Sequence, residues 1–206
     1  MRSFNRLRPR TVCGPSPKNS LLRPREVDVI WEAEKKLRGT DYLRRGNRRQ
    51  QEAAETLDSL SIDTLTGVKE WALAGTIPLD IDLPESDLDI LISTTDPESV
   101  RDDLASRFAH MPAFAVWPHG KEPGAWCVAF QSESYPIELF IHTTAIREQR
   151  AYRHMVVEYV LLERLGSSFQ SHIRSLKASG LKTEPAFAEA LGLDGDPYLA
   201  LLEVDL

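Results

Sequence analysis

Two aspartates, Asp87 and Asp89, stand two residues apart in a run that is otherwise apolar, with Leu88, Ile90, Leu91 and Ile92 around them. Side chains alternate faces along a strand, so both carboxylates would leave one face while Leu88 and Ile90 enter the other. Two strand residues span roughly 6.5 Å, a separation at which two acids can share divalent cations through their oxygens. Ionised acids this close repel each other, and a cation offsets the repulsion. A third acid has an equally unusual setting. In the stretch Tyr135 to His142, alternation sets Ile137, Leu139 and Ile141 on one face and Glu138 with Phe140 on the other. A carboxylate so flanked needs a basic neighbour or a metal, because a buried unpaired charge is costly.

The elements that must position these acids read as follows. Glu70 to Ile77 is predicted as a strand and Pro78 to Glu85 as its return loop, followed by an antiparallel strand from Asp87 to Thr94. Gly75 and Thr76 then lie beside the aspartates. Gly75 lets a ligand approach the backbone, and the Thr76 hydroxyl can donate to a phosphate oxygen; the plain alternative is a tight turn. Asp80 and Asp82 also alternate, but Pro78 and Pro84 confine them to a loop. Phe114 to Trp117 and Trp126 to Phe130 are strand-like, with His119, Lys121 and Gly124 in the loop between them.

Helices flank this β-rich centre. Glu26 to Leu37 has helical spacing and stops at Gly39, and Asn47 is placed to cap a helix from Arg48 to Leu60. Asp96 and Pro97 open another that runs to Phe108. Beyond Thr144 the chain is helical: Ala145 to Leu165 ending at Gly166, Ser168 to Ala178 ending at Gly180, then Thr183 to Leu191 and a last short helix. Two groups of cations accompany these helices. Arg44, Arg45, Arg48 and Arg49 cluster where the second helix begins, where basic charge opposes the macrodipole. Lys177 and Lys182 fall around the link between later helices. Either group would hold a polyphosphate or form a solvated face.

At 206 residues, with 42% hydrophobic and 27% charged residues, the composition is that of a water-soluble globular chain. The net charge of −6 is uneven: residues 1–25 carry seven Arg or Lys and no acid, leaving −13 on the remainder. An acidic body argues against nucleic-acid binding through a broad basic surface. The basic, proline-containing head reads as a disordered tail, with nucleic-acid contact or organelle targeting as alternatives. Cys13 and Cys127 fit no metal or redox spacing, which suits a reducing, cytoplasmic setting. The longest apolar run, Met155 to Leu162, is broken by Glu158, so no membrane span is expected.

Gly75, Asp87, Asp89 and Glu138, in this order on successive strands, resemble the nucleotidyltransferase superfamily that includes DNA polymerase beta. Thr76 departs from the usual Ser or Gly and Glu138 from the commoner Asp, but hydroxyl and carboxylate are kept. A narrower resemblance covers Arg45–Gln50, Gly75–Pro78, Ser86–Asp89, Ile137–Phe140, Ala151–Met155 and Gly180–Phe187. These are similar to the bacterial proteins described as domain of unknown function 4269. The resemblance implies an α+β fold: a nucleotidyltransferase-like mixed sheet flanked by helices, with a C-terminal helical region. The chain is expected to divide into a tail at 1–25, a core with N-terminal helices at 26–142, and a helical region at 143–206 packed on that core.

The resemblance also implies a chemistry. Asp87, Asp89 and Glu138 would bind Mg²⁺ (or Mn²⁺), with Gly75, Thr76, Arg48, Arg49, Lys177 and Lys182 as candidates for holding a nucleoside triphosphate. A nucleoside monophosphate would pass to a small-molecule or protein acceptor that the residues do not identify. A non-catalytic nucleotide- or partner-binding member of the fold, and a metal-dependent phosphoester hydrolase, stay open as alternatives.

Overall fold

The alternation at 88–92 and 137–141 is realised in two central strands of a mixed sheet. The computed structural model describes residues 24–206; the expected basic tail, but for its last two positions, lies outside them. The first helices are α1 (Pro24–Lys36), α2 (Asp41–Arg44) and α3 (Arg48–Leu60). Asn47 caps α3 as expected: its side chain accepts from the Gln50 amide, and the Gln50 side chain accepts from the Asn47 amide, closing a capping box. Then come β1 (Val68–Ala74), β2 (Leu88–Thr94), α4 (Pro97–Phe108), β3 (Ala115–Pro118), β4 (Trp126–Gln131) and β5 (Pro136–His142). The chain closes with α5 (Arg150–Ala178), α6 (Thr183–Leu191) and α7 (Pro197–Leu202).

The sheet order is β1-β2-β5-β4-β3, with β2 and β5 parallel and every other pair antiparallel. Parallel neighbours need a long crossover, and α4, β3 and β4 provide it. The two faces of the sheet have separate cores. Leu88, Ile90, Ile92, Ile137, Leu139 and Ile141 pack with α3 and α4 through Ala53, Leu57, Val100 and Leu104. The opposite face carries Leu91 and Phe140 against α5 and α6, with Met155, Val160 and Phe187 at the centre. A one-residue slip in β2 or β5 would exchange its inward and outward sets. Register is therefore what keeps Asp89 and Glu138 out of the α3/α4 core.

Element limits differ from expectation at points that bear on the site. β1 ends at Ala74, not Ile77, because Gly75 turns there with φ 76. β2 begins at Leu88, so Asp87 sits on the loop side of the strand. α5 begins at Arg150, not Ala145, and the break expected at Gly166 is present: two helices meet there at a kink, where the backbone leaves helical geometry (φ 77, ψ −172), a conformation open to glycine and strained for other residues. Among the described residues no helix is long and apolar enough to cross a membrane.

Candidate active site: a cleft at one end of the sheet

Pairing of β1, β2 and β5 sets the acids side by side. Asp89 is opposite Ala74 on one neighbour and Glu138 on the other. Gly75 follows at the tip of β1, and a Cβ built there would collide with Asp89 Oδ2. Asp87, Asp89, Glu138, Gly75, Thr76, Lys177 and Lys182 all line one cleft of about 1310 Å³. Gly75→Ala is expected to destabilise the protein by about 1–3 kcal/mol, since it adds left-handed strain to a steric conflict with Asp89. Chemical denaturation checks it, and a cost under about 0.5 kcal/mol would mean that Asp89 moves away freely.

The three acids are crowded and have no direct partner. Among the described residues none of their carboxylates has a hydrogen bond or ion pair. Burial, then Asp87 and Glu138, pushes the Asp89 carboxyl up to about 7. Burial and Asp87 also raise Glu138, opposed by His119. Among the described residues no three His, Cys, Asp or Glu side chains are already grouped to hold a metal ion. Like charges on adjacent positions repel, which favours rotamers that hold them apart. The donor set itself fits Mg²⁺ or Mn²⁺, being all carboxylate oxygen and short of positive partners.

The helical wall of the cleft carries charges the sequence reading did not single out as site residues. Arg150, His154 and Glu158 follow each other at four-residue spacing on α5 and line the cleft together. His154 bridges two helices: one ring nitrogen lies 3.4 Å from the Glu184 carboxylate and the other 2.8 Å from the Tyr198 carbonyl. Burial is the largest single influence on the Glu184 carboxyl and works to raise it, but the hydrogen bond from His154, a backbone hydrogen bond and the fields of His154 and Lys182 together hold the group below its usual value. Glu158 is only 4% exposed, and burial followed by the field of Glu184 pushes its carboxyl up to about 8 against the pull of Lys177. A signal was available, since Glu158 is the one acid inside the apolar run Met155 to Leu162.

The candidate cations divide. Lys177 is buried at the end of α5, not exposed in a linker; its ammonium donates to the Ile81 carbonyl at 2.8 Å. Burial lowers its pKa, opposed by Glu158, Asp82, Asp89 and Glu184. Lys182 precedes α6 and lines the same cleft. Arg48 and Arg49 do not. Arg48 points to solvent and pairs with Glu52 one turn on. Arg49 pairs with Asp82 at 2.6 Å, reaches the Leu83 carbonyl and lies over the Tyr135 ring.

The structural reason is the loop between β1 and β2, whose polar groups need partners. Gln50 donates to the Ile77 carbonyl, Arg174 to Asp80, Lys177 to the Ile81 carbonyl and Arg49 to Asp82. Asp80 and Asp82 are thus paired with arginines and are not free as ligands. Arg49→Ala is expected to cost about 2–3 kcal/mol, because it leaves the Asp82 carboxylate, 6% exposed, without its partner. Arg48→Ala should stay within about 0.5 kcal/mol. Denaturation midpoints test the pair, and equal effects would contradict the assignment.

A model of the family described as Domain of unknown function (DUF4269) matches residues 57–204. The chain belongs to that family. No curated protein matches it in sequence. Among solved structures it is similar to the Cid1 poly(U) polymerase. The TM-score is 0.52 against a mutant bound to MgATP, at 9% identity over 82% of this chain and 54% of that one. It is 0.52 at 10% identity, over 82% and 53%, for a structure described for its plasticity as a basis for RNA terminal uridylyl transferase activity. The MgGTP-bound form gives 0.51 at 10% identity, over 82% and 54%. This member of the family thus shares the α+β fold of those structures, and it spans about half their length.

Proposed function

We propose that this protein is a metal-dependent nucleotidyltransferase that moves a nucleoside monophosphate from a triphosphate to an acceptor hydroxyl. The observation that carries the reading is the register pairing of Asp89 with Glu138, beside Gly75 and in the same cleft as Asp87. Crowded carboxylates that no protein group pairs directly are what a site for a metal-bound triphosphate needs. Asp87, Asp89 and Glu138 would hold the Mg²⁺ or Mn²⁺. When bound, such ions neutralise charge on the phosphates and clamp the attacking and leaving oxygens.

The remaining work falls to the chain's own groups. The Thr76 hydroxyl, 3.4 Å from the Ser86 hydroxyl at the mouth of the β1–β2 loop, would donate to a phosphate oxygen. Lys177 and Lys182 would meet the triphosphate from the helical wall as point charges. Glu138, whose raised pKa brings it nearer to neutrality, would take the proton from the acceptor hydroxyl as general base. The acceptor oxygen then bonds to the α-phosphorus, the bond to the bridging oxygen breaks, and pyrophosphate leaves. An acidic body does not by itself exclude an RNA acceptor, since the polymerase of like fold is described as an RNA terminal uridylyl transferase.

The test is pyrophosphate release from each of the four nucleoside triphosphates with Mg²⁺ or Mn²⁺. Metal-dependent release from at least one supports transfer. Nucleotide binding with no release supports the non-catalytic alternative, and release of inorganic phosphate instead supports the hydrolase.

A further inference from the structure

The two walls of the cleft differ in a way that points to the acceptor. Asp89 lies in the field of Lys177 and Glu184 from the helical wall, whereas the groups acting on Glu138 are Asp87 and His119. The sheet order β1-β2-β5-β4-β3 also sets β5, and the β3–β4 loop that carries His119, on the far side of Asp89 from β1, so the acids divide the cleft into a side with Lys177 and Lys182 among Glu158 and Glu184 and a side beyond Glu138. On that second side β5 presents Glu138, Phe140 and His142 in alternation, all lining the cleft. His119 stands edge-on to the Phe140 ring at 5.1 Å between centroids, and the His142 ring is tilted to it at 6.0 Å. The His119 ring is held in place: its Nδ1 accepts from the Glu122 amide at 3.1 Å, which leaves the proton on Nε2. The result is a half-buried aromatic floor next to the proposed general base, with one ring N–H donor of fixed tautomer.

An in-line displacement puts the attacking oxygen opposite the leaving pyrophosphate. With the triphosphate on the side of Lys177 and Lys182, the acceptor must enter from the side of Phe140. We propose that His119, Phe140 and His142 form the acceptor subsite, and that it takes a molecule carrying a hydroxyl beside a flat ring. The ring stacks on Phe140, which places the hydroxyl at Glu138. This rests on the nucleotidyltransferase reading. A structural role alone would make Phe140 one more partly buried residue packed on the α5 core, and that role any apolar side chain of similar volume can fill.

The test is saturation-transfer NMR on the full chain with Mg²⁺ and α,β-methylene-ATP. Benzyl alcohol serves as the ring probe, and glycerol as a hydroxyl compound without a ring. Wild type should transfer saturation to benzyl alcohol and not to glycerol. Phe140→Leu keeps the apolar packing and removes the flat face; it should cut the benzyl alcohol signal at least about fivefold, as the loss of one stacking partner does. Equal signals in wild type and Phe140→Leu, or equal signals from the two probes, overturn the subsite. Binding of the nucleotide analogue is read in the same samples. If the analogue fails to bind, the nucleotidyltransferase reading falls and takes the acceptor role with it. If the analogue binds and the ring signal ignores Phe140, the subsite falls alone.

Discussion

Asp89→Asn is expected to reduce pyrophosphate release by at least about 10²–10³-fold, the scale on which the loss of one stabilising group at a reacting centre is felt. Asp89 is the acid most closely placed among the other groups of the site. It pairs in register with Glu138, faces the Gly75 turn and lies in the field of Lys177. Asn keeps its shape and removes the charge that a cation would meet. Loss of fold would be a trivial cause, and the burial of Asp89 argues against it. The ionised form is disfavoured in the folded protein, so a neutral replacement should leave the melting temperature at pH 8 unchanged or higher. An Asn variant that melts like wild type and still releases pyrophosphate at more than a tenth of the wild-type rate would remove Asp89 from the chemistry.

The second large effect concerns Glu158 and is one of stability. Its carboxyl, ordinarily near 4.5, is pushed up to about 8 in the fold by burial and then by Glu184. Between these values the folded state holds a proton that the unfolded state has lost. Stability is therefore lost as pH rises from about 4.5 through about 8. Glu158→Gln removes that penalty. The variant should match wild type near pH 4 and gain about 2–5 kcal/mol near pH 9, the upper figure being what a shift of this size allows. For a chain of this length that is a rise in melting temperature of about 5 °C or more. Melting curves across the range check it. If Glu158 is instead ionised against Lys177, Glu158→Gln will destabilise the protein at neutral pH, the opposite sign.

The sheet, its central strands and the three acids were legible because they depend on period-two alternation and register. Leu88 and Ile90 could only face a core if Asp89 did not, and the same holds for Ile137, Leu139 and Glu138. The antiparallel return from Gly75 to the aspartates followed from turn chemistry. Roles of the cations were not legible, because charge type says nothing about partners distant in sequence. Arg49 meets Asp82 and Lys177 meets Ile81 across separations of 33 and 96 residues. Those contacts exist only once α3 and α5 enclose the β1–β2 loop. His154, Glu158 and Glu184 were obscured for a related reason: they gather where α5 meets α6, which no local pattern encodes. Glu158 alone left a trace, as an acid where the periodicity asked for an apolar residue.

Calorimetric titration of the wild-type protein with each nucleoside triphosphate, with and without Mg²⁺ or Mn²⁺, tests the central claim most directly. Saturable binding of at least one triphosphate is expected, dependent on the metal and lost in Asp89→Asn. No binding of any triphosphate by the wild type, with either metal present, would contradict it.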